Sequence, residues 1–218
     1  MSLVIDPRET VLLVIDMQNA FCHPEGTLGM AGVPMEPLRA TIPQVRRLVE
    51  LCRAHGIPDI WTRQIHYERD RAREAHKVVP HTLRRPRIAC QPGTWDAQIV
   101  DELRDLVRPE TEVLEKHKFS AFYGTRLEPL LGVYGARLLV ACGTTTNLCI
   151  DTTIRDAYMR DYDVVVAKDA VAGVDAEWHT AALDVWARYM AEVLTVDEIA
   201  QCIQPVPGRS AEGVAQSR

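Results

Sequence analysis

The sequence predicts an α/β fold, a doubly wound and mostly parallel sheet of about six strands with helices on both faces. Three observations carry that reading. Short aliphatic runs recur along the 218 residues and alternate with stretches of helical spacing. The runs lack the polar alternation of a half-exposed strand, as expected where both faces are covered. Chemistry-bearing side chains gather where the runs end, and ligand sites of open α/β sheets lie outside the carboxyl ends of the strands.

Each element has its own justification. Residues 10–16 form an apolar run ending in an acid, the first strand, and residues 17–26 carry loop chemistry. Helical spacing over 42–52 predicts a helix, with Pro43 tolerated near its start and Gly56 stopping it. Residues 57–64 read as the second strand. Residues 65–94 form a long charged segment containing Pro and Arg, of weak periodicity, which suits either a pocket wall or a solvated loop.

A short helix is expected over 95–103 and a third strand over 111–116, ending in Lys116. Residues 125–133 read as a helix and 136–142 as a buried fourth strand. The stretch Gly143-Thr144-Thr145-Thr146-Asn147-Leu148-Cys149 supplies turn and capping residues, so Cys149 is expected in the first turn of the next helix. A strand over 163–169, a helix over 175–190 and a last strand over 192–196 follow. The polar tail from Pro205 is expected to fray. The reading is one domain over 1–204 with a tail at 205–218.

Bulk properties exclude several classes. Apolar residues make up 47% and charged residues 25%, an ordinary globular composition. A formal net charge of −5, with no basic stripe, argues against nucleic-acid binding. No run is long enough for a membrane span. The N-terminal residues lack a basic region followed by an apolar one, so no export signal is expected. Six cysteines lie scattered, without zinc-ligand spacing, which suits a reducing compartment. A cytoplasmic protein is the expectation. No G-x-G-x-x-G or P-loop fingerprint occurs, which weighs against a nucleotide-binding module.

Asp16, Lys116 and Cys149 each fall at or just beyond the end of a predicted strand, so an acid, a base and a thiol converge on one edge. The helix start beside Cys149 favours a thiolate through the dipole and free N–H groups. Asp16 can move the proton, Lys116 can stabilise charge, and backbone N–H groups can serve as an oxyanion hole. Such a set suits acyl transfer through a thioester.

Residues 13–19, residues 115–122 and residues 143–149 resemble the three signatures of isochorismatase-like cysteine hydrolases, in the family's order. The resemblance spans about 11–196. It implies a Rossmann-like fold, an Asp16–Lys116–Cys149 triad and a homo-oligomer, dimer or tetramer. It also implies a cis peptide at Thr144–Thr145 and an oxyanion hole from the N–H groups of Thr145 and Cys149.

Isochorismatases that cleave a vinyl ether lack the cysteine, so Cys149 argues against that subgroup. Nicotinamidases bind a metal through an Asp-x-His and a distal histidine. Here the matching place reads Gln64-Ile65-His66, so no metal and no cofactor are expected, with a site from His66, His76 and His81 as the alternative. Residues 93–103 resemble the segment of ureidoacrylate, N-carbamoyl and biuret-type amidohydrolases. Residues 170–174 lack the arginine with which carbamoylsarcosine-type enzymes hold a carboxylate.

The expected function is a cysteine-dependent amidohydrolase releasing ammonia from a small amide or carbamoyl/ureido compound such as ureidoacrylate, biuret, guanylurea or an N-carbamoyl compound. A nicotinamidase-type amidase, or a non-catalytic nucleotide- or partner-binding member, is the alternative. Phe21, His66, Trp95 and Phe122 are the expected pocket walls.

Overall fold

In a computed structural model the described residues are 3–69 and 87–204. His76, His81 and the tail at 205–218 lie outside them. Six parallel strands, β1 (Thr10–Ile15), β2 (Asp59–Gln64), β3 (Glu112–Lys116), β4 (Leu138–Thr144), β5 (Asp163–Ala172) and β6 (Glu192–Leu194), form one sheet in the order β3-β2-β1-β4-β5-β6. The chain order reverses beside β1, so the crevice between the ends of β1 and β4 is the topological switch point where such sheets bind ligands.

All six side chains of β1 are buried, which is why its sequence shows no alternation. Leu12 and Val14 join one core layer with Val45, Leu48 and Val49 of the helix α3 (Glu36–Ala54). Val11, Leu13 and Ile15 join the opposite layer with Ile154 and Trp186 of helices α5 (Asp151–Tyr158) and α6 (Ala176–Tyr189). Helix α4 (Leu127–Val133) lies on that second face, and α7 (Val196–Cys202) adds Val196 and Ile199 to the first.

Several elements differ from the sequence reading. Helix α3 begins at Glu36, not near Ile42, with a proline in its first turn and Pro43 in its interior. Its buried face, from Leu38 to Cys52, outweighs the lost Pro43 hydrogen bond. The loop after β1 holds two short turns, α1 (Asn19–Cys22) and α2 (Thr27–Met30). Residues 95–103 split into 3-10 segments at Trp95–Ala97 and Asp101–Leu106. Helix α7 was not legible as a helix, although Thr195 and Glu198 form a capping box at its start. Among the described residues no helix is long and apolar enough to cross a membrane.

Candidate active site

Three strand ends supply the buried charges and the thiol. Asp16 follows the last residue of β1 and takes a positive φ of 51°, a conformation that aspartate tolerates better than most residues. Thr62 holds it there: the Thr62 hydroxyl donates to Asp16 Oδ1 at 2.7 Å and accepts the Asp16 N–H at 3.2 Å. The Thr144 hydroxyl donates to the Asp16 carbonyl at 2.9 Å. Asp16 is thus held from both neighbouring strands, its carboxylate by Thr62 and its main chain by Thr62 and Thr144.

Lys116 ends β3, in register with Gln64 of β2. Its ammonium lies 2.6 Å from Asp16 Oδ2, and both side chains are 0% exposed. It donates to Gln64 Oε1 at 2.7 Å, to the Lys118 carbonyl at 3.2 Å and to Cys149 Sγ at 3.3 Å. Asp16 Oδ2 meets the ammonium off the axis of an aligned hydrogen bond, so its lone pairs keep capacity for a proton. Burial opposes charge on Lys116, but the negative charge of Asp16 and the sulfur outweigh it and hold the ammonium protonated.

Cys149 lies beyond β4, inside a π-helical turn (Thr146–Ile150) that runs into α5. The wider turn replaces the ordinary α-helical first turn expected from sequence. Burial pushes its thiol up to about 12, with Lys116 pulling down and Asp16 pushing up. Burial and the Asp16 carboxylate thus favour the thiol over the thiolate expected from the helix start, with Lys116 opposing them. Asp16 Oδ2 and the Cys149 sulfur flank the same Lys116 nitrogen, at 2.6 and 3.3 Å.

The Thr144–Thr145 peptide is cis. Among the described residues the Thr145 N–H meets no backbone acceptor. Gly143, at φ 118°, lets β4 pass so close to β1 that a Cβ there would lie 2.0 Å from the Ile15 carbonyl oxygen.

A pocket of about 160 Å³ opens over Cys149, Thr144 and Thr145. Its walls are mostly apolar, from Phe21, Leu28, Val33, Phe119, Leu148 and Val174, with Gln64 and His66 adding polar surface. Of the four side chains expected as walls, Phe21 and His66 are there. Trp95 stands edge-on to His23 at 4.8 Å and Phe122 packs beside Tyr162 with the Arg160 guanidinium over its ring. Neither lines the pocket: Phe122 has the Arg160 guanidinium over its ring, and Trp95 is partly exposed beside His23.

Thr62 and Gln18 were missed as site residues. Gln18 donates to the carbonyls of Gln64 and Ala97 and accepts the Gln64 N–H at 2.7 Å, fixing the end of β2. The alternation Thr62, Gln64 along β2 was the available signal, but its meaning depends on the register with β3. Among the described residues no group of three His, Cys, Asp or Glu side chains gathers at metal-binding distance.

Chemically, the arrangement joins a buried thiol, a carboxylate able to take its proton, an ammonium compensating the charge and, in the same pocket wall, a backbone donor that meets no backbone acceptor among the described residues. Solved structures share this fold. A cysteine hydrolase from Pseudomonas syringae pv. phaseolicola 1448A is 25% identical, with a TM-score of 0.77 over 93% of this chain and 97% of that one. An N-carbamoylsarcosine amidase from Thermoplasma acidophilum is 29% identical, with a TM-score of 0.70 over 87% and 97%. A nicotinamidase from Bacillus subtilis is 25% identical, with a TM-score of 0.73 over 85% and 99%. The isochorismatase domain model matches residues 10–198, and the chain belongs to that family of hydrolases.

Proposed function

We propose that the chain is a cysteine-dependent amidohydrolase that cleaves a C–N bond of a small amide or carbamoyl/ureido compound and releases ammonia. The observation that carries this reading is the contact of one buried ammonium with both Asp16 Oδ2 and the Sγ of Cys149, which lines the pocket. Asp16, Lys116 and Cys149 are the proposed catalytic residues.

In the first half-reaction the Cys149 sulfur attacks the carbonyl carbon while its proton passes to Asp16. A thiol held near 12 needs this transfer to accompany bond formation. The developing oxyanion takes the N–H groups of Thr145 and Cys149, and the site changes little in net charge because Lys116 stays protonated. Asp16 then gives the proton to the departing nitrogen, and ammonia and a thioester result. Water attacks the thioester with Asp16 as base, and the sulfur recovers its proton as the acid or carbamate leaves.

The apolar walls and the lack of a lysine or arginine among the described lining residues favour an uncharged substrate, so ureidoacrylate fits less well than a neutral amide or ureido compound. A nicotinamidase-type metal site is a poor fit: Gln64 replaces the carboxylate, and its Oε1 is committed to Lys116. The test is ammonia release from small amides and ureido compounds, by wild type and Cys149→Ser, with and without chelator. Cysteine-dependent, chelator-resistant release is expected; equal turnover by Cys149→Ser would overturn the proposal.

A further inference from the structure

Gln64 has half of its amide unused. Its side chain is 3% exposed and contributes to the pocket wall beside Cys149. A lysine ammonium can only donate, so the amide atom 2.7 Å from Lys116 must be the oxygen. This removes the ordinary ambiguity between the two ends of a glutamine amide. Among the described residues the other end, Nε2, is buried and meets no hydrogen-bond partner. Rotation cannot relieve it, because turning the amide would face Nε2 to the ammonium. The main chain of Gln64 is held as well, by both ends of the Gln18 amide.

A buried, immobile donor without a partner is costly unless something else accepts from it. Gln64 Oε1 and Cys149 Sγ touch the same ammonium nitrogen, at 2.7 and 3.3 Å, so the amide stands about one functional group from the attacked carbon. The remaining described walls are largely apolar and include no lysine or arginine.

We infer that Gln64 is a specificity-determining residue whose Nε2 donates to a second carbonyl-type acceptor next to the scissile carbonyl, in an uncharged acyl or ureido substrate. This rests on the amidohydrolase reading. It divides small amides into two groups: 2-oxo amides and N-acylureas satisfy the donor, whereas simple alkyl amides and alkylureas leave it unpaired. Apolar surface on Phe21, Leu28 and Val174 receives the remainder of the molecule.

The test compares matched pairs that differ only in this acceptor: pyruvamide against isobutyramide, and acetylurea against isopropylurea. Wild type is expected to favour the acceptor-bearing member in kcat/KM. In Gln64→Glu, which keeps an oxygen facing Lys116 but loses the donor, and in Gln64→Met, that preference is expected to fall about tenfold, the size of one neutral hydrogen bond. A role confined to positioning Lys116 would lower both members equally and leave the ratio unmoved. An unchanged ratio in both variants overturns the assignment of Gln64 alone. Absence of turnover of all four compounds by wild type overturns the amidohydrolase reading with it.

Discussion

Lys116 Nζ and Asp16 Oδ2 sit 2.6 Å apart with neither side chain exposed. The pair is desolvated on all sides, and Thr62, Gln64, Cys149 and the Lys118 carbonyl provide its further polar contacts. Buried pairs of this kind stabilise weakly as a whole, yet removing one partner leaves a charge stranded in a low dielectric.

Lys116→Met is therefore expected to cost about 3–5 kcal/mol, as is typical when one half of a buried pair is removed. Adding Asp16→Asn should return a substantial part of that loss, because two neutral side chains then replace two charged ones. Urea titrations of the single and double variants measure this, and all of them should lack amidase turnover. Strict additivity of the two losses would show that the charges do not interact.

The second expectation concerns pH. Burial raises the thiols of Cys22, Cys52 and Cys149 to about 12, from 9.0, and raises Cys90 and Cys142 as well. The folded state holds these protons when the unfolded state has lost them. The contribution is thus fully present below about pH 9 and is lost as pH rises toward about 12. Lys116, raised above 10.5, acts in the same direction. Denaturant midpoints should be insensitive to thiol ionisation at neutral pH and fall above about pH 9. Iodoacetamide labelling of Cys149, followed by peptide mapping, should accelerate through pH 10 without a plateau. A plateau near pH 8 would place a preformed thiolate in the site.

The contrast between this thiol and the thiolate read from sequence shows where legibility stopped. Asp16, Lys116 and Cys149 were visible because a strand-like run ends at or near each, and β/α alternation predicts a parallel sheet without fixing its strand order. Desolvation was invisible, since it depends on what packs over Cys149 and not on its helix start. The π turn at Thr146–Ile150 has no sequence period that sets it apart over five residues. Thr62 acquires meaning only from its contact with Asp16, across 46 positions, and Gln64 from its pairing with Lys116, across 52. Trp95 and Phe122 show that an aromatic side chain near a site in sequence can spend its surface on other partners.

Thr62→Val tests how firmly Asp16 must be held. The change is nearly isosteric, but it removes the donor to Asp16 Oδ1 and the acceptor of the Asp16 N–H. Leaving these buried groups unpaired should cost about 1–3 kcal/mol in stability. If Asp16 moves the proton in both half-reactions, kcat should fall at least about tenfold with little change in KM, because the loss affects the transition state. Steady-state kinetics on any turned-over amide separates the two. A raised KM at constant kcat would mean that Thr62 shapes substrate binding instead.

Gly143→Ala probes the close passage of β4 over β1. A methyl group at Gly143 would lie 2.0 Å from the Ile15 oxygen and 2.8 Å from the Ile15 carbon, and both are backbone atoms that cannot rotate away. The φ of 118° would in addition be strained for alanine. Relief requires β4 to separate from β1 where Asp16 and Thr144 meet, so the hydrogen bond from Thr144 to the Asp16 carbonyl is the first contact at risk. The expected loss is about 3 kcal/mol or more, among the larger effects of single substitutions. Gly132→Ala is the control: a Cβ there meets nothing within 4 Å, so a near-neutral midpoint is expected. Equal midpoints for the two variants in parallel urea titrations would show that the β1–β4 crossing yields to a methyl group, and that Asp16 does not depend on this glycine for its position.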